Sequence, residues 1–130
     1  MSARDQDFRA QPHKRAQGAV GEAAAEAWLT RHGFRIVERN LRNRGGELDV
    51  VAWDGATLCF IEVKARSNAA FGRAIEAISA AKQRKIARAA ALYLTSWRET
   101  PPCRFDVLAM DLGPEGWSFD LVRNAFERGG

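Results

Sequence analysis

The stretch that most constrains the fold is a pair of apolar runs joined by a turn: residues 47–53 (ELDVVAW), Asp54-Gly55, and residues 57–65 (TLCFIEVKA). Val, Ile, Phe and Trp suit a pleated, half-buried surface, and Asp-Gly is a strong hairpin signal. The second run is apolar on both faces, as a strand with neighbours on each side and cover above and below must be. A chain carrying this hairpin has to build its sheet around residues 57–65.

The rest of the sequence supplies that sheet. Residues 1–16 are polar and lack apolar periodicity, which reads as a disordered arm. Residues 18–31 are alanine-rich, with Val20, Trp28 and Leu29, and read as a helix stopped by Gly33. Residues 34–41 form a first strand, and residues 43–46 a turn. Residues 67–79 are irregular, with a short extended piece at 74–78. Ser79 can cap a second helix running to about residue 97, and Pro101-Pro102 breaks the chain after it. Residues 104–111 and 117–122 are the last strands, with a Gly-Pro turn between them. The order αβββαββ implies one α/β domain over residues 17–126, a mixed five-stranded sheet flanked by helices, and a tail at 127–130.

Composition narrows the partner. The 130 residues suffice for one hydrophobic core. No apolar run approaches the ~20 residues of a membrane span, and the polar N-terminus is no secretory signal, so a cytoplasmic address is expected. Cys59 and Cys103 form no CxxC pair and read as small, reduced hydrophobes. His13 and His32 have no partner at ligand spacing and read as surface or capping residues. The net charge of +4, half of it in the N-terminal arm, favours an anionic partner, nucleic acid before others.

The hairpin also carries chemistry. Side chains alternate along a strand, so Glu47 and Asp49 share a face with Val51, and Glu62 and Lys64 share one with Leu58 and Phe60. A two-residue Asp54-Gly55 loop sets Asp49 diagonal to Glu62. A four-residue loop, 54–57, sets them directly opposite. Only an odd loop separates them, because a one-residue slip turns every side chain to the other face. Two carboxylates about 4 Å apart repel by roughly 4 kcal/mol at an effective dielectric of about 20. A hard cation removes that repulsion, and oxygen ligands are what Mg²⁺ or Mn²⁺ takes. Asp49, Glu62 and the Val63 carbonyl could hold it, while Lys64 orients or deprotonates a water or holds a phosphate. Spacing alone leaves open a second reading, ordinary cross-strand ion pairs on a solvated face.

The runs G-E-L-D-V-V-A and F-I-E-V-K-A-R resemble the PD-(D/E)XK nuclease superfamily. The chain is more closely similar to the uncharacterised YraN-like bacterial proteins, relatives of archaeal Holliday-junction resolvases and other restriction-endonuclease-like enzymes. Gly21-Glu22, Asn40 with Arg42, Phe71-Gly72, Lys82-Gln83, Arg104-Phe105-Asp106 and Asn124-Ala125-Phe126 extend the match over residues 18–126. The resemblance implies a restriction-endonuclease-like fold, metal ligation by Asp49 and Glu62, and a catalytic Lys64. It also implies that Glu22, an acid of the first helix, reaches the metal directly or through water. The alternative for Glu22 is an acid complementing the helix dipole.

Around this centre, Arg66 continues the third strand on the Lys64 face and is a phosphate-clamp candidate. Arg42 belongs with it as a nucleic-acid contact. Lys82 either snorkels from an apolar helix stripe or, with Gln83, faces the substrate. Arg84, Lys85 and Arg88 either contact phosphates or form a solvated face. Asp106 is read as structural, paired with Arg104 or a neighbouring strand, and Trp28 and Trp53 as core packing before base stacking. The expected function is Mg²⁺- or Mn²⁺-dependent endonuclease action on DNA, with branched or structured DNA as a candidate. A non-catalytic nucleic-acid-binding module or assembly partner is the alternative. A two-fold homodimer would suit cleavage of both strands of a junction.

Overall fold

The structure is a computed structural model that describes residues 12–66 and 78–127. The chain order is α1 (Pro12–Arg31), β1 (Arg35–Asn43), β2 (Gly46–Asp54), β3 (Thr57–Arg66), α2 (Ala80–Leu94), β4 (Cys103–Gly113) and β5 (Gly116–Phe126). The five strands lie side by side in chain order, antiparallel except for the parallel pair β3–β4. That pair needs a long crossover, which contains α2. The α/β architecture and the order αβββαββ agree with the sequence reading.

Because β3 is central and both its faces are covered, its apolar residues divide between two cores. On one side Leu58 and Phe60 pack with Val51, Phe105, Val107 and Ala109 under Ile86, Ala89, Ala90 and Leu94 of α2. On the other, Cys59 and Ile61 pack with Val50, Ala52, Leu108 and Met110 under Ala25 and Leu29 of α1. Burying an aliphatic or Phe side chain in such layers contributes about 1.5–3 kcal/mol each. Trp28 stacks on His32 and Phe119, while Trp53 meets Trp97, so both tryptophans pack against protein rings. His32 is the cap expected of it, its Nδ1 lying 2.8 Å from the Trp28 carbonyl oxygen.

Three boundaries differ from expectation by three residues or more. The first helix starts at Pro12, inside the segment read as a polar arm. Proline is tolerated in a first turn, where its missing N–H has no intrahelical partner to lose. The second helix stops at Leu94, because the Thr95 and Ser96 hydroxyls turn back onto the Leu92 and Tyr93 carbonyls. The strand β5 continues to Phe126, held by the pairing Phe105↔Phe126. The expected extended piece at 74–78 lies outside the described residues apart from Ile78, which is buried against α2. Phe71-Gly72 lies outside them as well.

Candidate active site

The turn between β2 and β3 is a two-residue loop, Gly55-Ala56, closed by Asp54↔Thr57. Gly55 has φ 62, which puts the glycine first in the loop, where a two-residue hairpin readily takes a positive φ. The apex is thus one residue later than the Asp54-Gly55 of the sequence reading, and the register is that of the directly opposed alternative. Pairing runs from Asp54↔Thr57 to Val50↔Ile61. One step further in this register puts Asp49 across from Glu62.

At that step the backbone ladder gives way to side chains. The Val63 N–H donates to Asp49 Oδ2 at 2.8 Å. Burial, and next the Glu62 carboxyl beside it, push the Asp49 pKa from 3.8 up to about 8; the Val63 N–H and Lys82 pull the other way. Glu62 is 7% exposed and one of two buried charged residues among those described. Two acids are therefore forced together in a partly dry place, the arrangement that invites a cation.

The charge that meets Glu62 comes from α2. Lys82 Nζ lies 3.2 Å from Glu62 Oε2. Partial burial disfavours the Lys82 ammonium, but Glu62, then Asp49 and Glu47, outweigh it and raise its pKa. Lys82, read from the sequence as either snorkelling or facing the substrate, thus has its stem half-buried and its ammonium at Glu62. Its position follows from the helix start: Ser79 caps α2 by accepting the Lys82 N–H at 3.1 Å, so Lys82 sits in the first turn. Lys64, half-buried, lies two residues beyond Glu62 on the same strand face, about 6.6 Å along the strand.

The β1–β2 hairpin fixes α2 over the sheet. Asn43 Nδ2 donates to the Ala89 carbonyl at 3.0 Å, and the Gly45 N–H donates to Asn43 Oδ1 at 2.8 Å. A Cβ on Gly45 would meet Ala89 N at 2.9 Å, so this tip lies directly on the helix backbone. Gly45 and Gly46 of the tip meet Arg88, Ala89 and Lys85, and Arg44, Lys85 and Arg88 are all exposed. Sequence reasoning used residues 43–46 only as a turn; two consecutive glycines, more than a tight turn needs, were the signal of close approach.

The remaining candidates are placed as follows. Glu22 accepts from Asn40 Nδ2 at 3.4 Å. Asn40 has φ 53, a left-handed backbone that Asn tolerates, and lies between the pairs Arg39↔Val50 and Leu41↔Leu48, beside Asp49. No three His, Cys, Asp or Glu side chains gather as a metal-binding group among the described residues, so Glu22 does not join Asp49 and Glu62 in one. Arg42 is exposed and ion-paired with Glu47. Gln83 turns its amide back to the Ile78 carbonyl at 3.0 Å, while Arg84 and Lys85 are exposed. Arg66 ends β3 opposite Asp111, and its side chain lies outside the described part.

Asp106 is structural, as expected, and fully buried. Arg104 Nε donates to its Oδ1 at 2.9 Å, and the Asn124 N–H donates to the same oxygen at 2.9 Å. Arg104 also reaches Asp54 at 2.9 Å. Cys59 beside this network is buried, and that burial, with Asp106, pushes its thiol up to about 12, leaving it protonated. Neither Cys59 nor Cys103 forms a disulfide. No helix among the described residues is long and apolar enough to cross a membrane.

Residues 21–110, from the start of α1's buried face to the end of the β4 core, match the model of the uncharacterised protein family UPF0102. A UPF0102 protein of Symbiobacterium thermophilum is 49% identical over 114 residues, 86% of this chain and 97% of the relative. A UPF0102 protein of Nitrosospira multiformis is 46% identical over 113 residues, covering 87% and 94%. One of Cupriavidus pinatubonensis is 50% identical over 111 residues, covering 82% and 87%. With Asp49, Glu62, Lys64 and Lys82 all inside the matched span, the chain belongs to the UPF0102 family, the YraN-like proteins.

Proposed function

We propose that this protein is a divalent-cation-dependent phosphodiesterase that cleaves DNA, with branched or structured DNA as its substrate class. The observation that carries the reading is the Asp49–Glu62 pair, two carboxyls held together where the β2–β3 ladder ends, with Lys64 on the same face. The donor set fits Mg²⁺ or Mn²⁺: both side chains are hard oxygen donors, and their mutual repulsion is what a cation relieves. Asp49 and Glu62 would hold the ion with the Val63 carbonyl, and Glu22 would act through water. The ion supplies polarisation of the scissile phosphate and offsets charge as it develops.

The chain's own groups do the rest. The Val63 N–H fixes one Asp49 oxygen, which orients the other. Lys64 holds the attacking water or the phosphate as a point charge. Lys82, Gln83, Arg84, Lys85, Arg42 and Arg66 are the proposed contacts to the nucleic-acid backbone.

The test is a cleavage screen over duplex, single-stranded and four-way junction DNA with Mg²⁺ and Mn²⁺. Glu62→Ala and Asp49→Ala each reduce cleavage at least ~100-fold if these residues make the centre. Cleavage that persists in either variant sinks the assignment. The second reading, a nucleic-acid-binding module without turnover, draws on Lys82 already meeting the charge of Glu62. It predicts salt-sensitive binding and no cleavage on any substrate.

A further inference from the structure

Glu62 and Asp49 do not stand alone: an ammonium group from another element meets them. Lys82 Nζ is 3.2 Å from Glu62 Oε2, and Glu62 is buried while the lysine side chain is half-exposed. The strand holding Glu62 is central and fixed between β2 and β4. The lysine, on a flexible stem in the first turn of α2, is the partner free to move. A divalent cation at the carboxylate pair and the Lys82 ammonium would compete for Glu62, because two positive groups held on one buried carboxylate repel each other. Lys85 and Arg88 follow Lys82 on α2 and are exposed, so a displaced ammonium stays at the edge of a basic surface. An anion arriving there finds one more cation than it would in the metal-free protein.

We propose that Lys82 is a resident counter-ion, which holds the carboxylate pair together without metal and passes to a substrate phosphate when a divalent cation displaces it. Metal and DNA then bind cooperatively, and the coupling runs through one side chain. The proposal rests on the nuclease reading and goes beyond it by naming how the site is kept and how its two ligands are linked.

The experiment uses the full chain, Ca²⁺ and Mn²⁺ as non-cleaving and reporting ions, and a labelled junction DNA. Calorimetry measures cation affinity, and fluorescence anisotropy measures DNA affinity in EDTA and in Ca²⁺. In the wild type, Ca²⁺ tightens DNA binding roughly fivefold or more, within the ordinary range of coupling between linked ligands. Lys82→Gln binds Mn²⁺ several-fold more tightly and loses most of the Ca²⁺-dependent gain in DNA affinity. In Ca²⁺ its salt slope falls by about one phosphate contact, and in EDTA it does not. Lys85→Gln, one turn along, weakens DNA binding equally in EDTA and in Ca²⁺. If Lys82→Gln binds Mn²⁺ no more tightly than wild type, or weakens DNA equally in both conditions, Lys82 is an ordinary phosphate contact and the proposal fails alone. A wild-type protein that binds neither cation takes the nuclease reading down with it.

Discussion

Asp49 is asked to be two things. It is a half-buried acid that accepts the Val63 N–H, and its pKa is raised to about 8 by desolvation and by Glu62. A raised folded-state pKa means that folding favours the protonated form. The stability Asp49 contributes is therefore complete below its unfolded pKa, near 4, and is lost as pH climbs towards 8. Asp49→Asn keeps an oxygen for the Val63 N–H and never ionises. In EDTA this variant is expected to match the wild type at pH 4, and to exceed it on the order of 3 kcal/mol at about pH 8.5, by urea denaturation. A difference that stays constant with pH counts against the strain placed at this residue. The variant should also lose cleavage, since a ligand charge is gone. That Asp49, Glu62 and Lys64 share a face was legible in the sequence, because side-chain direction along a strand has a period of two. That Lys82 meets Glu62 was not: residues 20 apart on different elements meet only when the fold packs them, and the chain offered two roles for that lysine.

At the scale of elements, the β1–β2 hairpin and α2 form one unit. Gly45 is needed because helix backbone is in the way: a Cβ there would sit 2.9 Å from Ala89 N and 3.0 Å from Ala89 Cα. Gly55 is needed only for its positive φ, and space around it is open. Gly45→Ala is therefore expected to cost about 1–3 kcal/mol by lifting the hairpin from α2, an overpacking effect. It should also raise cation affinity, since lifting the hairpin loosens α2 and with it the hold of Lys82 on Glu62. Gly55→Ala should cost about 1–2 kcal/mol through its backbone alone and leave the site undisturbed. Thermal unfolding and cation titration of both variants separate the two. Equal effects on cation binding would show that the hairpin does not position the helix. The existence of these elements was plain from hydrophobic pattern and turn residues. Their ends were not, because Thr95 and Ser96 end α2 with side-chain hydrogen bonds that a periodicity argument does not see.

Across the whole molecule, two polar constructions lie in the same sheet. The Asp49–Glu62–Lys82 cluster crowds two carboxyls together and opens to solvent through the half-exposed Lys82. The Arg104–Asp106–Asn124 network is fully satisfied and ties β4 to β5. Asp106→Ala leaves Arg104 with Asp54 alone and the Asn124 N–H without its acceptor, and a loss of about 1–3 kcal/mol is expected by chemical denaturation. The carboxylate pair should show the opposite sign, stabilisation on neutralisation. An Asp106→Ala protein as stable as the wild type would remove the structural role given to this acid.

The sequence by itself determined the αβββαββ order, the central place of β3 and the common face of Asp49, Glu62 and Lys64. Each follows from local physics: hydrophobic period, turn chemistry and strand alternation. Tertiary structure decided which loop residues close the hairpin, that α2 brings Lys82 to Glu62, and that Asn40 reaches Glu22 beside Asp49. Those are contacts between elements, and they depend on how two cores and a hairpin tip set a helix over a sheet. Packing is a property of the whole chain, which no local pattern encodes.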